Sequence, residues 1–132
     1  MATTTPSCVL LADRHHGLAE GVRGLLESSF STVFIVADEA SLLRGAERLK
    51  PRLVVADIGL ARGDLRGLVS RVLACSPESR ILLLSVHDEP AARNAARAAG
   101  AHGIVAKRSI VTDLLPAIDE VLAGRLYFPR DP

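Results

Sequence analysis

No apolar run in this chain approaches the ~20 residues needed to cross a bilayer, so a membrane span is not expected. The N-terminal MATTTPS has no basic region followed by an apolar stretch, which argues against a secretion signal. Charge of one sign is also lacking. The net charge is +1, too small for a general nucleic-acid or membrane-binding surface. Tryptophan is absent, so no indole reports on any site. Cysteine occurs only at Cys8 and Cys75, and both read as free, mostly buried thiols of a reducing cytoplasm, since a chain with an ordinary core needs no staple. No cysteine–histidine cluster has zinc-site spacing. His15 and His16 are adjacent, so their side chains diverge and do not readily chelate one metal. Lysine is as scarce as cysteine: apart from Lys50 and Lys107, every residue counted as Lys or Arg is arginine.

What is present is an aliphatic core on a regular plan. The 132 residues fit one compact domain, and 48% of them are apolar. Five short, continuous apolar runs recur: CVLLA (8–12), VFIVA (33–37), LVVA (53–56), ILLLS (81–85) and GIVA (103–106). They are rich in Val, Ile and Leu without alternation, which suits strands buried on both faces. Between them lie stretches with helical spacing, such as Leu18, Val22, Leu25 and Leu26, or Leu65, Leu68, Val69 and Val72. The fourth stretch, PAARNAARAAG, is alanine-rich and stops at Gly100. The fifth carries Leu114, Leu115, Ile118, Val121 and Leu122, with Thr112 as the expected N-cap and Pro116 in the first turn. Five strand–helix units predict an α/β domain, a parallel sheet covered on both faces by right-handed crossovers. Residues 1–6 read as a loose tail, 7–125 as the domain, and 126–132, where two prolines end the period, as the start of a linker.

In such sheets ligands bind beyond the carboxyl ends of the strands. Asp13 and Arg14 follow the first run, Asp57 the third, Ser85 ends the fourth, and Lys107 follows the fifth. Two carboxylates, a hydroxyl, an ammonium and a guanidinium therefore converge. Phosphoryl transfer can use each of them. A carboxylate can hold the group as an acyl phosphate, and fixed cations and donors offset the charge on its oxygens. Asp64 and Asp88 read as loop or N-cap carboxylates, His87 as a loop residue near the site, and His15 and His16 as start-of-helix residues.

LLADRH, PRLVVADIGL, ILLLSVHDE and AGAHGIVAK, in this order and spacing, resemble the receiver domain of two-component response regulators over residues 7–125. LLADRHHGLAEGVRGLL, AKRS and AIDEVLAGRLYF are most similar to the LuxR/NarL type. The resemblance implies a doubly wound, flavodoxin-like (βα)5 sandwich with strand order 2-1-3-4-5. It implies that Asp57 accepts a phosphoryl group from a sensor histidine kinase, that Lys107 pairs with it, and that Ser85 is the switching hydroxyl. Asp13, Asp57 and the Gly59 carbonyl would hold Mg²⁺, and the residues at Gly59 and His87 would tune dephosphorylation. It implies a cytoplasmic signalling switch rather than a metabolic enzyme. It further implies homodimerisation and DNA contact only through a C-terminal helix-turn-helix domain that these residues do not include.

The sequence departs from that pattern in three places. Arg14 stands where a second acid usually ligates Mg²⁺, so metal binding is expected to be weak or absent. Three outcomes stay open: the guanidinium substitutes for the metal, locks the site without phosphorylation, or swings into solvent. Ile104 replaces the usual switching aromatic, which puts its coupling to Ser85 in question. Ala61 replaces a loop proline. The rival reading is a phosphorylation-independent interaction module. A phosphohydrolase is disfavoured because Gly59 occupies the place of its second acid.

Overall fold

The computed structural model describes residues 8–87 and 90–128. The expected tail at 1–6, the expected cap Asp88 and residues 129–132 lie outside them. The elements alternate without exception: β1 (Cys8–Ala12), α1 (His16–Leu26), β2 (Thr32–Val36), α2 (Glu39–Leu49), β3 (Leu53–Asp57), α3 (Leu65–Cys75), β4 (Arg80–Ser85), α4 (Pro90–Ala99), β5 (Gly103–Ala106) and α5 (Ile110–Leu122). The five strands form one parallel sheet in the order β2-β1-β3-β4-β5. This is the doubly wound architecture that the continuous apolar runs predict.

Alternate strand residues face opposite layers, because side chains on a strand have a period of two. Leu10, Val54, Ile81, Leu83 and Ile104 face the layer of α2, α3 and α4. Val9, Leu11, Val55, Leu82, Leu84 and Val105 face α1 and α5. Most of these are fully buried. Each buried Leu, Ile or Val contributes about 1.5–3 kcal/mol relative to exposure, so the inner strands fix the positions of their carboxyl ends. Cys8 and Cys75 are free and half-buried, a little more accessible than expected.

Local chemistry sets the helix starts. The Asp38 carboxylate accepts the Ser41 amide at 2.7 Å, and the Asp64 carboxylate accepts the Gly67 amide at 3.0 Å, so both acids act as N-caps. α5 differs from expectation. Its helix begins at Ile110, with Ser109 at the N-cap, and Thr112 lies within it, donating its hydroxyl to the Ser109 carbonyl at 3.1 Å. Pro116 therefore sits in the helix interior rather than the first turn. It is exposed, so water can reach the carbonyl that its missing N–H leaves free. The burial of Ile110 and Leu114 holds the extra turn in place.

His102 plays a backbone role just before β5. Its Nδ1 accepts the Ile81 amide at 2.8 Å, which requires the unprotonated nitrogen. Burial and the nearby Arg80 charge push its pKa below the usual histidine range. In this case the unfolded chain binds a proton more readily than the native one, so stability rises with pH through this window. We expect the urea midpoint to fall as pH drops from 7 through the ordinary histidine pKa, ~6.5. In His102→Asn, whose side-chain oxygen can accept the same amide, that slope should flatten. An equal slope in both proteins would show that another group governs it.

Candidate functional site

Asp13 follows β1, its amide donating to the Val36 carbonyl at 3.0 Å, and Asp57 is the last residue of β3. Both are buried. Lys107, directly after β5, brings its ammonium to 2.8 Å from Asp13 Oδ2 and 3.1 Å from Asp57 Oδ1, with its own side chain buried. Strand ends delivered to one rim of the parallel sheet, with β4 between β3 and β5, thus turn three sequence-distant residues into one ion-paired cluster. Burial alone would raise the Asp13 carboxyl pKa. The Lys107 hydrogen bond and charge, with the His15 amide, outweigh it, and the net displacement is downward.

His15 is the member that sequence reasoning missed. Its amide donates to Asp13 Oδ1 at 2.9 Å, and its Nδ1 lies 3.0 Å from the same oxygen and 3.4 Å from Lys107 Nζ. The signal was present in Asp-x-His, because an aspartate commonly accepts the amide two residues on. The ring returns to the cluster from the N-cap of α1.

Asp57 Oδ2 faces Gly59, where an added Cβ would lie only 2.8 Å from it. Glycine therefore keeps the approach to that oxygen open. The approach is a cavity of about 440 Å³ lined by Arg14, His15, Asp57, Gly59, His87 and Ala95, among others. Arg14 is exposed, and its guanidinium reaches over Gly59, with Nη2 3.9 Å from the position of that added Cβ. Among the described residues it makes no ion pair with Asp13 or Asp57; Lys107 makes both. Ser85 is fully buried, and its Oγ accepts the His87 amide at 2.9 Å. That leaves its proton available to another acceptor. Ile104 is buried against the α4 layer, opposite Leu83 in the β4–β5 register.

The sequence profile of the response regulator receiver domain matches residues 9–119, and the chain belongs to that family. Similar proteins agree. BvgA of Bordetella pertussis, a virulence-factor transcription regulator, is 32% identical over 124 residues, which cover 92% of this chain and 58% of that protein. A LuxR-family two-component response regulator from Aurantimonas sp. SI85-9A1 superposes with a TM-score of 0.82 at 29% identity, covering 93% of this chain and 89% of that one. The non-phosphorylated receiver domain of the stress response regulator RcsB from Escherichia coli superposes with a TM-score of 0.79 at 25% identity, covering 96% and 100%. The chain spans about 60% of the length of the curated relatives it matches. No helix among the described residues is long and apolar enough to cross a membrane.

Receiver domains typically bind Mg²⁺ at an acidic cluster, and here that cluster is Asp13 and Asp57 with His15 beside them. The donor set fits the ion poorly. Mg²⁺ demands near-octahedral oxygen ligation, yet the residue following Asp13 is a guanidinium and the third group of the cluster is an imidazole. Lys107 pairs with both carboxylates, and the exposed Arg14 guanidinium adds a further positive charge at the cavity without pairing with either, which weakens the field that would attract a divalent ion.

Proposed function

We propose that this chain is a phosphoryl-accepting signalling receiver in which Asp57 is the acceptor. One observation carries the reading: a buried aspartate at a strand end has one oxygen held by Lys107 and the other facing an open cavity across a glycine. Asp57 Oδ2 would attack the phosphorus of a phosphohistidine. The O–P bond forms as the N–P bond breaks, and the leaving imidazole takes up a proton. Lys107, already 3.1 Å from Asp57, would offset charge on the transferred group, and the Ser85 hydroxyl would donate to one of its oxygens. Arg14 at the cavity mouth supplies a second fixed cation, so transfer at low Mg²⁺ is the expected behaviour.

The donor would be a sensor histidine kinase in the cytoplasm. The output would be homodimerisation and control of a DNA-binding domain, consistent with relatives that extend well beyond the matched region. The test is intact mass after acetyl phosphate treatment, with and without Mg²⁺. A gain of one phosphoryl group under both conditions is expected.

A second reading is a phosphorylation-independent interaction module. It is favoured by Lys107 already pairing with both carboxylates and by the buried aliphatic Ile104 where the family has an aromatic switch. No mass gain under either condition would select it.

A further inference from the structure

The β5 edge of the sheet is not bare. After α5 the chain reverses at Gly124, whose φ of 90° lies in the left-handed region that favours glycine. It then runs back along β5. Tyr127 forms a parallel bridge with Gly103: the Ile104 amide donates to the Tyr127 carbonyl at 3.0 Å, and the Tyr127 amide donates to the His102 carbonyl at 2.9 Å. An added Cβ on Gly103 would lie 3.0 Å from the Tyr127 carbonyl oxygen, so a residue with no side chain admits this close approach. Tyr127 packs on the α1/α5 layer and Phe128 on the α2–α4 layer, so the segment straddles the sheet edge as a strand does.

α4 buries only small side chains. Its sequence is PAARNAARAA, and its buried residues are Ala96 and Ala99. Alanine methyls bury little apolar area, so the helix gains less from packing than its neighbours do. Phe128 makes up the deficit. It packs against the cluster that contains Ala96, Ala99 and Ile104, and the Arg97 guanidinium of α4 lies over its ring at 4.6 Å from the centroid. The aromatic surface absent from position 104 is thus supplied by the C-terminal segment.

We propose that Leu126–Phe128 is a strap that holds α4 in place and keeps the β5 edge closed. When the strap is docked, the α4–β5 face is occupied by the chain's own residues. When it lifts, α4 loosens and an unpaired strand edge is exposed. Ala95 of α4 lines the same cavity as Asp57, so the strap bears on the site through one helix. This goes beyond the receiver reading and does not depend on phosphorylation.

The experiment is residue-resolved amide exchange on the 132-residue protein, comparing the parent with Phe128→Ala and Tyr127→Pro. The first removes the ring under Arg97; the second removes the amide that donates to His102. Amides of Ala96–Ala99 should exchange at least about tenfold faster in both variants, while those of Leu10, Leu11, Val54 and Val55 stay as in the parent. Unchanged α4 exchange in both variants would overturn the proposal. So would an equal rise in every element, which would mean that the segment adds only global stability.

Discussion

Asp57→Asn should abolish the mass gain that acetyl phosphate gives the parent protein. The substitution keeps the shape of the side chain and removes the nucleophilic carboxylate. Among the described residues, no neighbouring acid is placed to take over. Both oxygens of Asp13 are engaged, Oδ1 by His15 and Oδ2 by Lys107, and its side chain is buried. Asp64 is spent on capping α3. The fold should survive, because Lys107 keeps its 2.8 Å partner Asp13 when the charge at position 57 is lost. Unchanged circular dichroism with no phosphoryl gain is therefore the expected pair of results. A gain persisting in Asp57→Asn would move the acceptor to another residue. The same two measurements separate chemistry from folding in Lys107→Ala, where two buried carboxylates lose their common cation and both transfer and stability should suffer.

Four strands were legible because they are buried on both faces, and a buried parallel strand appears as an unbroken apolar run. β2, at the sheet edge, is only partly buried, so its apolar run overstated its burial. The run at 33–37 shows the limit: the strand is Thr32–Val36, and Asp38 beyond it caps the next helix. α5 was misread at its start because Thr112 and Pro116 carry strong local signals, whereas the burial of Ile110 and Leu114 that overrides them is tertiary. The location of the site was legible too, since a parallel sheet delivers every strand's carboxyl end to one rim. The pairing within it was legible in part: the resemblance implies that Lys107 pairs with Asp57, but nothing local says that the same ammonium also takes Asp13. The run of Tyr127 along β5 was equally hidden, because a single bridge beyond the last helix has no periodicity to betray it.

Arg14→Asp should tighten Mg²⁺ binding at least about tenfold, a gain of about 1.4 kcal/mol. Two effects act in the same direction. The change removes a positive charge from the mouth of the Asp57 cavity, and it returns an oxygen ligand to an ion that requires several. Arg14→Ala separates them, because it removes the charge without supplying the ligand. The expected order of affinity is Asp, then Ala, then Arg. Arg14 is exposed, so solvent screens its repulsion, and the gap between Ala and Arg should shrink as ionic strength rises. The gap between Asp and Ala should persist, because direct ligation at short range is screened far less. With no tryptophan in the chain, calorimetry or the amide shifts of Asp57 and Gly59 must report the titration. Equal affinities in all three proteins would show that Arg14 neither repels the ion nor stands in a ligand's place. Equal affinities for Asp and Ala, both tighter than the parent, would assign the whole effect to removal of the guanidinium, with the new carboxylate contributing neither attraction nor a ligand. The guanidinium at the cavity mouth would then be what keeps Mg²⁺ out, and the number of oxygens would not matter.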